Sequence, residues 1–339
     1  MSRRRSSIVI VLGLLAVLPA ASCGGRSLPE GVDLVPADAT FAISLDVPAI
    51  MSSQLYEALE ASDGLFGRNR MNFYRFAEAA GLDPRADVRR LIFLMRAGES
   101  GVEDMSAIVT GSFDGKKVHS YLADSGLPIH QVSGTDIFEF IMINDECRFC
   151  MAVLDDHTAA FGDGKTLAKI AKVFEGSMPS LSSSESAGRL LSRLGRDPDV
   201  WAILMTADLS GPIADLMSRV SADAGGLRGL GPMREAAFSF DATDPMRVLI
   251  ELAADSEEDA MLVADILKGG EALGRLALRE SRPELARIVS DLTIEADTGL
   301  IRITGSIPSS DIQAVTRLVG STWMEGISSA LGGTGQPSP

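Results

Sequence analysis

The chain is 339 residues long, 46% hydrophobic and 5% aromatic, with 46 acidic side chains against 31 basic ones. That much apolar content excludes a disordered chain, and the length suggests about two domains or two repeats. A formal charge of −15 excludes nucleic acid as a partner, since repulsion from phosphate replaces counterion release, and the few aromatics argue against sugar or base platforms.

The first 22 residues read as a secretory leader: Arg3, Arg4 and Arg5, an apolar run from Ile8 to Leu18, then the small residues Ala20, Ala21 and Ser22. The run is well short of the roughly 20 residues of a membrane span. Ala20-Ala21-Ser22-Cys23 resembles the bacterial lipoprotein signal. That resemblance implies diacylglycerol in thioether linkage to Cys23, which becomes the new N-terminus, and membrane attachment through acyl chains whose buried methylenes each add affinity. Gly24, where Asp marks inner-membrane retention, resembles the pattern sorted to an outer membrane, with the body facing the periplasm. The lipoprotein pattern usually has Leu where this chain has Ala20. Ordinary cleavage after Ser22 fits the small-x-small pair Ala20 and Ser22 as well, and leaves a secreted or periplasmic soluble protein. Loss of residues 1–22 removes three arginines and no acid, so 28 basic and 46 acidic side chains remain, a balance of −18. Residues 23–31 read as a flexible tether, rich in Gly and Ser, with the body starting near Val32.

In chain order, Phe41 to Asp46 alternates as a strand, with Phe41, Ile43 and Leu45 on one side and Ala42, Ser44 and Asp46 on the other; Pro48 then opens a helix through Leu55 and Leu59. The stretch Leu34 to Ile50 resembles the start of uncharacterised bacterial envelope proteins, a similarity that implies no activity. A second strand leads to an Asp114 cap and a helix with Val118, Tyr121 and Leu122 on one face. Residues 138–154 are rich in β-formers and hold Cys147 and Cys150. In an extended strand these lie about 10 Å apart on opposite faces, too far for a disulfide unless the chain bends near Asn144–Glu146 or just after. Two half-buried thiols or a local disulfide are expected, and the absence of a following helix argues against a redox motif. A hairpin and a helix with Leu167, Ile170, Ala171 and Phe174 close the first half.

Residues 177–186 read as a Ser-rich linker, followed by a helix leading into a second half built on the same plan. Its strand Val200–Thr206 feeds a helix with Ile213, Leu216, Met217 and Val220; a Gly-rich loop, Ser221 to Pro232, carries Leu227 and Leu230. Strand Arg247–Ala253 leads to a helix capped by Ser256 and expected to end at Gly269-Gly270. A hairpin turning at Asp297-Thr298-Gly299 and a helix with Ile312, Val315 and Val319 complete it. The expected fold is α+β: two tandem pseudo-repeat units, residues 32–176 and 187–331, each a mainly antiparallel sheet with packed helices, and a disordered tail from 332 to 339.

Chemistry is harder to place. Gly164-Lys165-Thr166 sits where a phosphate loop would, but the pattern needs glycine at position 159, which is Ala159, and Asp163 repels phosphate. His119, His130 and His157 lack metal-ligand spacing, and Asp155, Asp156 and Asp163 lack the alternation of a calcium loop. No serine elbow is present, and no catalytic, cofactor or metal residue is nominated. The reading is a lipid-anchored envelope protein with a non-catalytic binding or scaffolding role towards an envelope protein. The alternatives are a periplasmic carrier of lipid or another apolar ligand, and an envelope hydrolase without a recognisable motif.

Overall fold

A computed structural model describes residues 28–54, 56–57, 80–98, 101–143, 146–195, 197–205 and 235–312. The second-half helix around Leu216, the loop of Leu227 and Leu230, the C-terminal helix beyond Ile312, the tail and Cys23 lie outside the described residues.

The described strands form one antiparallel sheet. The first seven are β1 (Phe41–Asp46), β2 (Val88–Gly98), β3 (Gly101–Gly111), β4 (Ile129–Val132), β5 (Thr135–Ile143), β6 (Glu146–Val153) and β7 (Thr158–Gly162). The rest are β8 (Val200–Met205), β9 (Glu235–Asp241), β10 (Met246–Ala253), β11 (Thr293–Asp297) and β12 (Leu300–Ile307). Their order is β11-β12-β10-β9-β8-β1-β2-β3-β7-β6-β5-β4, with every neighbouring pair antiparallel. The helices are α1 (Val47–Met51), α2 (Gly115–Asp124), α3 (Gly164–Phe174), α4 (Glu185–Leu191), α5 (Glu257–Ser281) and α6 (Pro283–Ser290). Helices pack on both faces of the sheet, an α+β arrangement.

Strand alternation sorts the cores. On one face Ala42, Ile92, Leu94, Ile108, Trp201, Ile203 and Ala237 meet Leu167 and Ile170 of α3 and Leu190 and Leu191 of α4. This cluster draws on both halves of the chain, because β1 pairs with β8 at mid-sheet. On the other face α2 lays Val118 and Leu122 against Phe138 and Ala159, and α5 lays Ala260, Val263 and Ala264 against Leu252 and Ile301.

The structure extends or departs from the sequence reading at several points. In β1 the small residues Ala42 and Ser44 are the fully buried ones, while Phe41, Ile43 and Leu45 are half-buried. Small side chains are needed there because Trp201, Arg90 and the incoming N-terminal segment crowd that face: Arg90 donates to Ser44 Oγ at 3.1 Å, and Trp201 Nε1 donates to the Glu30 carbonyl at 3.1 Å. The packed body therefore includes the end of the expected tether, with Leu28 against the core and Pro29 buried. Gly31 has φ 88° and a Cβ there would come within 2.5 Å of Ile92 Cδ1, so only glycine lets the segment cross. The Ser-rich connection also packs. Leu181 is buried, its amide donates to the Val35 carbonyl at 2.7 Å, and Pro36 bridges to Ser180.

Helix α5 does not stop at Gly269-Gly270 but runs on to Ser281. Each interior glycine costs about 1 kcal/mol relative to alanine, which the good helix formers after it and an ion pair, Glu271 to Arg275 at 3.6 Å, help offset. The turn at Thr298-Gly299 is as read, with φ of 48° and 80° as a type I′ hairpin requires.

Candidate functional site

Helix α2 starts where its sequence dictates, with the Asp114 side chain accepting from the Lys117 amide at 3.1 Å. Its first turn abuts the β6–β7 turn: the Gly115 amide donates to the Asp156 carbonyl at 3.3 Å, and Lys116 Nζ stands 3.4 Å from Asp156 Oδ2. Between them opens a cleft of about 280 Å³ lined by Gly115, Lys116, His119, Ser120, Val153, Asp155 and Asp156. One turn along α2, His119 Nε2 lies 3.0 Å from Asp136 Oδ2 of β5, and its ring meets Phe138 edge-on at 5.2 Å. Asp136 is held in turn by Gln131, whose Nε2 donates at 3.1 Å.

A carboxylate that orients an imidazole is half of a nucleophile-activating arrangement. The other half is a hydroxyl or thiol facing the ring. Ser120 follows His119 on the helix, and adjacent helical positions do not face each other. Among the described residues Asp136 is the hydrogen-bond partner shown for the His119 ring, and no hydroxyl or thiol is seen bonded to it. Sequence reading missed the His119–Asp136 pair. The two are 17 positions apart on a helix and a strand, and only the docking of α2 on β5 joins them.

The motif residues take structural roles. Asp163 is buried, and its Oδ1 accepts from the Lys165 amide at 2.9 Å and the Thr166 amide at 3.4 Å. The amides a phosphate would need are thus already occupied. Gly162 has φ 135° and a Cβ there would come within 2.5 Å of the Met105 carbonyl, so its glycine serves the approach of β7 to β3. Asp163→Ala should cost about 1 kcal/mol in chemical denaturation. Added phosphate should not restore it; restoration would show that the α3 N-terminus takes an anion.

Asp155 accepts from the His157 amide at 2.8 Å, Asp156 pairs with Lys116, and Asp163 caps α3, so the three acids point to separate tasks. Among the described residues no three His, Cys, Asp or Glu side chains form a metal-holding group, and no helix is long and apolar enough to cross a membrane. Cys150 corrects the half-buried-thiol alternative: it is fully buried and disulfide-bonded. Pairing between β5 and β6 shifts register between Glu139/Ile141 and again between Ile141/Met142, so Met142 stands opposite Cys147 while Glu139 stands opposite Cys150.

Large apolar side chains remain at the surface. Phe149 lies against Phe140 and Phe161 with centroids 5.6 Å and 6.3 Å away, and Phe149 and Met105 are exposed on the same side of the sheet. Outward-facing Met261, Leu262, Leu273 and Leu276 of α5 are also exposed. Comparison with protein-family models, characterised proteins and solved structures returned no match.

Proposed function

We propose that the chain is a lipid-anchored envelope protein whose body binds or scaffolds other envelope components without catalysis, held through Cys23 at the periplasmic side of an outer membrane. The observation that carries this reading is that Leu28, five residues after Cys23, already packs against the core. A lipid on Cys23 then holds the body within about 18 Å of the bilayer, the reach of five extended residues. Support for a binding role comes from the exposed apolar side chains of β3, β6 and α5 together with a cleft that lacks a nucleophile–base pair.

The finer reading of the fold is a tandem duplication of residues 32–176 and 187–331. Outward from mid-sheet the orders β1-β2-β3-β7-β6 and β8-β9-β10-β12-β11 match, and α2 and α5 each follow the third strand. The antiparallel β1–β8 pairing is what a two-fold relation between the halves requires. The first copy then adds the β4–β5 hairpin where the second lengthens α5 and adds α6.

The anchor also assigns the disulfide. A Cys23 sulfur in thioether linkage cannot bond Cys150, which leaves Cys147 as the partner. Mass spectrometry of the membrane form should show residues 1–22 removed, acyl groups on Cys23 and a Cys147–Cys150 link in the non-reduced digest, and Cys23→Ser should abolish processing. A free Cys23, or one bonded to Cys150, overturns the anchor. Reducing so small a loop should cost about 2 kcal/mol.

A further inference from the structure

We infer that two copies of this chain associate through the outward face of α5, each helix lying antiparallel to its counterpart. The inference goes beyond the anchored-scaffold reading and does not depend on the lipid. Helix α5 is 25 residues long. Its inward side buries Ala260, Val263 and Ala264 on the sheet. Its outward side ought to be polar, yet Leu262, Leu273 and Leu276 are 50%, 57% and 65% exposed. Single exposed leucines are ordinary; a row of them is not.

The row has a period. Leu262, Ile266, Gly269, Leu273 and Leu276 are spaced four, three, four and three apart, the repeat with which one helix packs along another, with Ile266 half-buried at the flank where α5 meets the sheet core. In phase, this seam passes straight across the two glycines that would otherwise end the helix. It spans about 21 Å of helix axis.

Between Ile266 and Leu276 the seam fits itself, and Leu262 falls opposite Glu280 at its end. A two-fold contact places the same patch against itself in reverse. Centred near residue 271, an antiparallel pairing sets Ile266 opposite Leu276 of the second copy and Gly269 opposite Leu273, so the side chain that is missing in one helix leaves room for the leucine of the other. Charge agrees with this direction. Asp265 and Arg279 border the seam on one side, fourteen positions apart, and reversal brings each beside the other on the second copy. Asp265 is 78% exposed, and its neighbour Lys268 Nζ stands 3.6 Å away, an exposed pair that holds it weakly. In a mature chain of charge −18, two copies otherwise repel; the uncharged seam with its reciprocal pairs is where they can meet.

The test is sedimentation of residues 23–339 carrying Cys23→Ser, so that neither lipid nor that thiol joins copies. The expected result is a dimer that Leu273→Asp and Leu276→Asp convert to a folded monomer by circular dichroism. Asp265→Arg and Arg279→Asp should each weaken association about tenfold, and the combined swap should restore it. The inference is overturned by a monomer at every concentration, by a dimer indifferent to the leucine changes, or by a double swap no better than the single ones. A monomer that binds phosphatidylcholine vesicles through the same leucines also overturns it, and assigns the face to a bilayer.

Discussion

Trp201→Ala should lower the stability of the whole sheet by about 4 kcal/mol, in the upper range for an aromatic-to-alanine change in a core. Trp201 is fully buried on β8, beside the β1–β8 seam where the two halves of the chain meet. It stands opposite Ser44 of β1 in the strand pairing, and its indole N–H donates to the Glu30 carbonyl at 3.1 Å. The substitution therefore opens a cavity and also frees an acceptor, the second effect adding about 1 kcal/mol. Trp201→Phe separates the two: most of the volume stays and the hydrogen bond goes, so a loss of about 1 to 2 kcal/mol is expected. Urea unfolding followed by circular dichroism reads both. Cleavage after Glu30 by a glutamate-specific protease reads the second alone, because Arg90, with Glu30 at 3.5 Å, would then be left to hold that segment. A loss below 1 kcal/mol in Trp201→Ala would show that the halves do not depend on this junction.

The elements around this junction show which features the sequence makes legible. The Phe41–Asp46 strand and the Thr298-Gly299 turn follow from alternation and from the φ values that two residues must adopt, both local properties. The burial of Ala42 and Ser44 is not local. It depends on Arg90 and Trp201, tens to over a hundred positions away, arriving on the same face. The end of α5 is not legible in the sequence for a related reason: two glycines are a strong local stop, and the packing of α5 on β11, β12 and α6 overrides them. The His119–Asp136 pair is hidden in the same way, since neither residue carries a spacing that points to the other.

Glu251→Ala should cost about 3 kcal/mol, because it removes the one carboxylate between two arginines inside the second half of the sheet. Glu251 is fully buried on β10; Arg302 of β12 donates through Nε at 2.6 Å, and Arg193 Nε stands 3.2 Å away. Arg302 also donates to the Arg193 carbonyl at 3.3 Å, so the three residues form one unit. Without the anion, two guanidinium groups stay close together with their side chains only 19% and 36% exposed, which water cannot fully compensate. A double-mutant cycle decides whether this is the cause. Arg302→Ala in the Glu251→Ala background should cost less than in the parent by about 1 to 3 kcal/mol, because the stranded charge is already gone. Strict additivity would mean that the loss came from packing alone. Added salt should change the Glu251→Ala deficit little, since a buried group is poorly screened. Arg193 follows α4 in the segment that connects the two halves, so a second cycle with Arg193→Ala and Glu251→Ala measures how firmly that connection is tied to the outer strands. A large coupling makes the serine-rich passage part of the scaffold, and the two halves then unfold as one body.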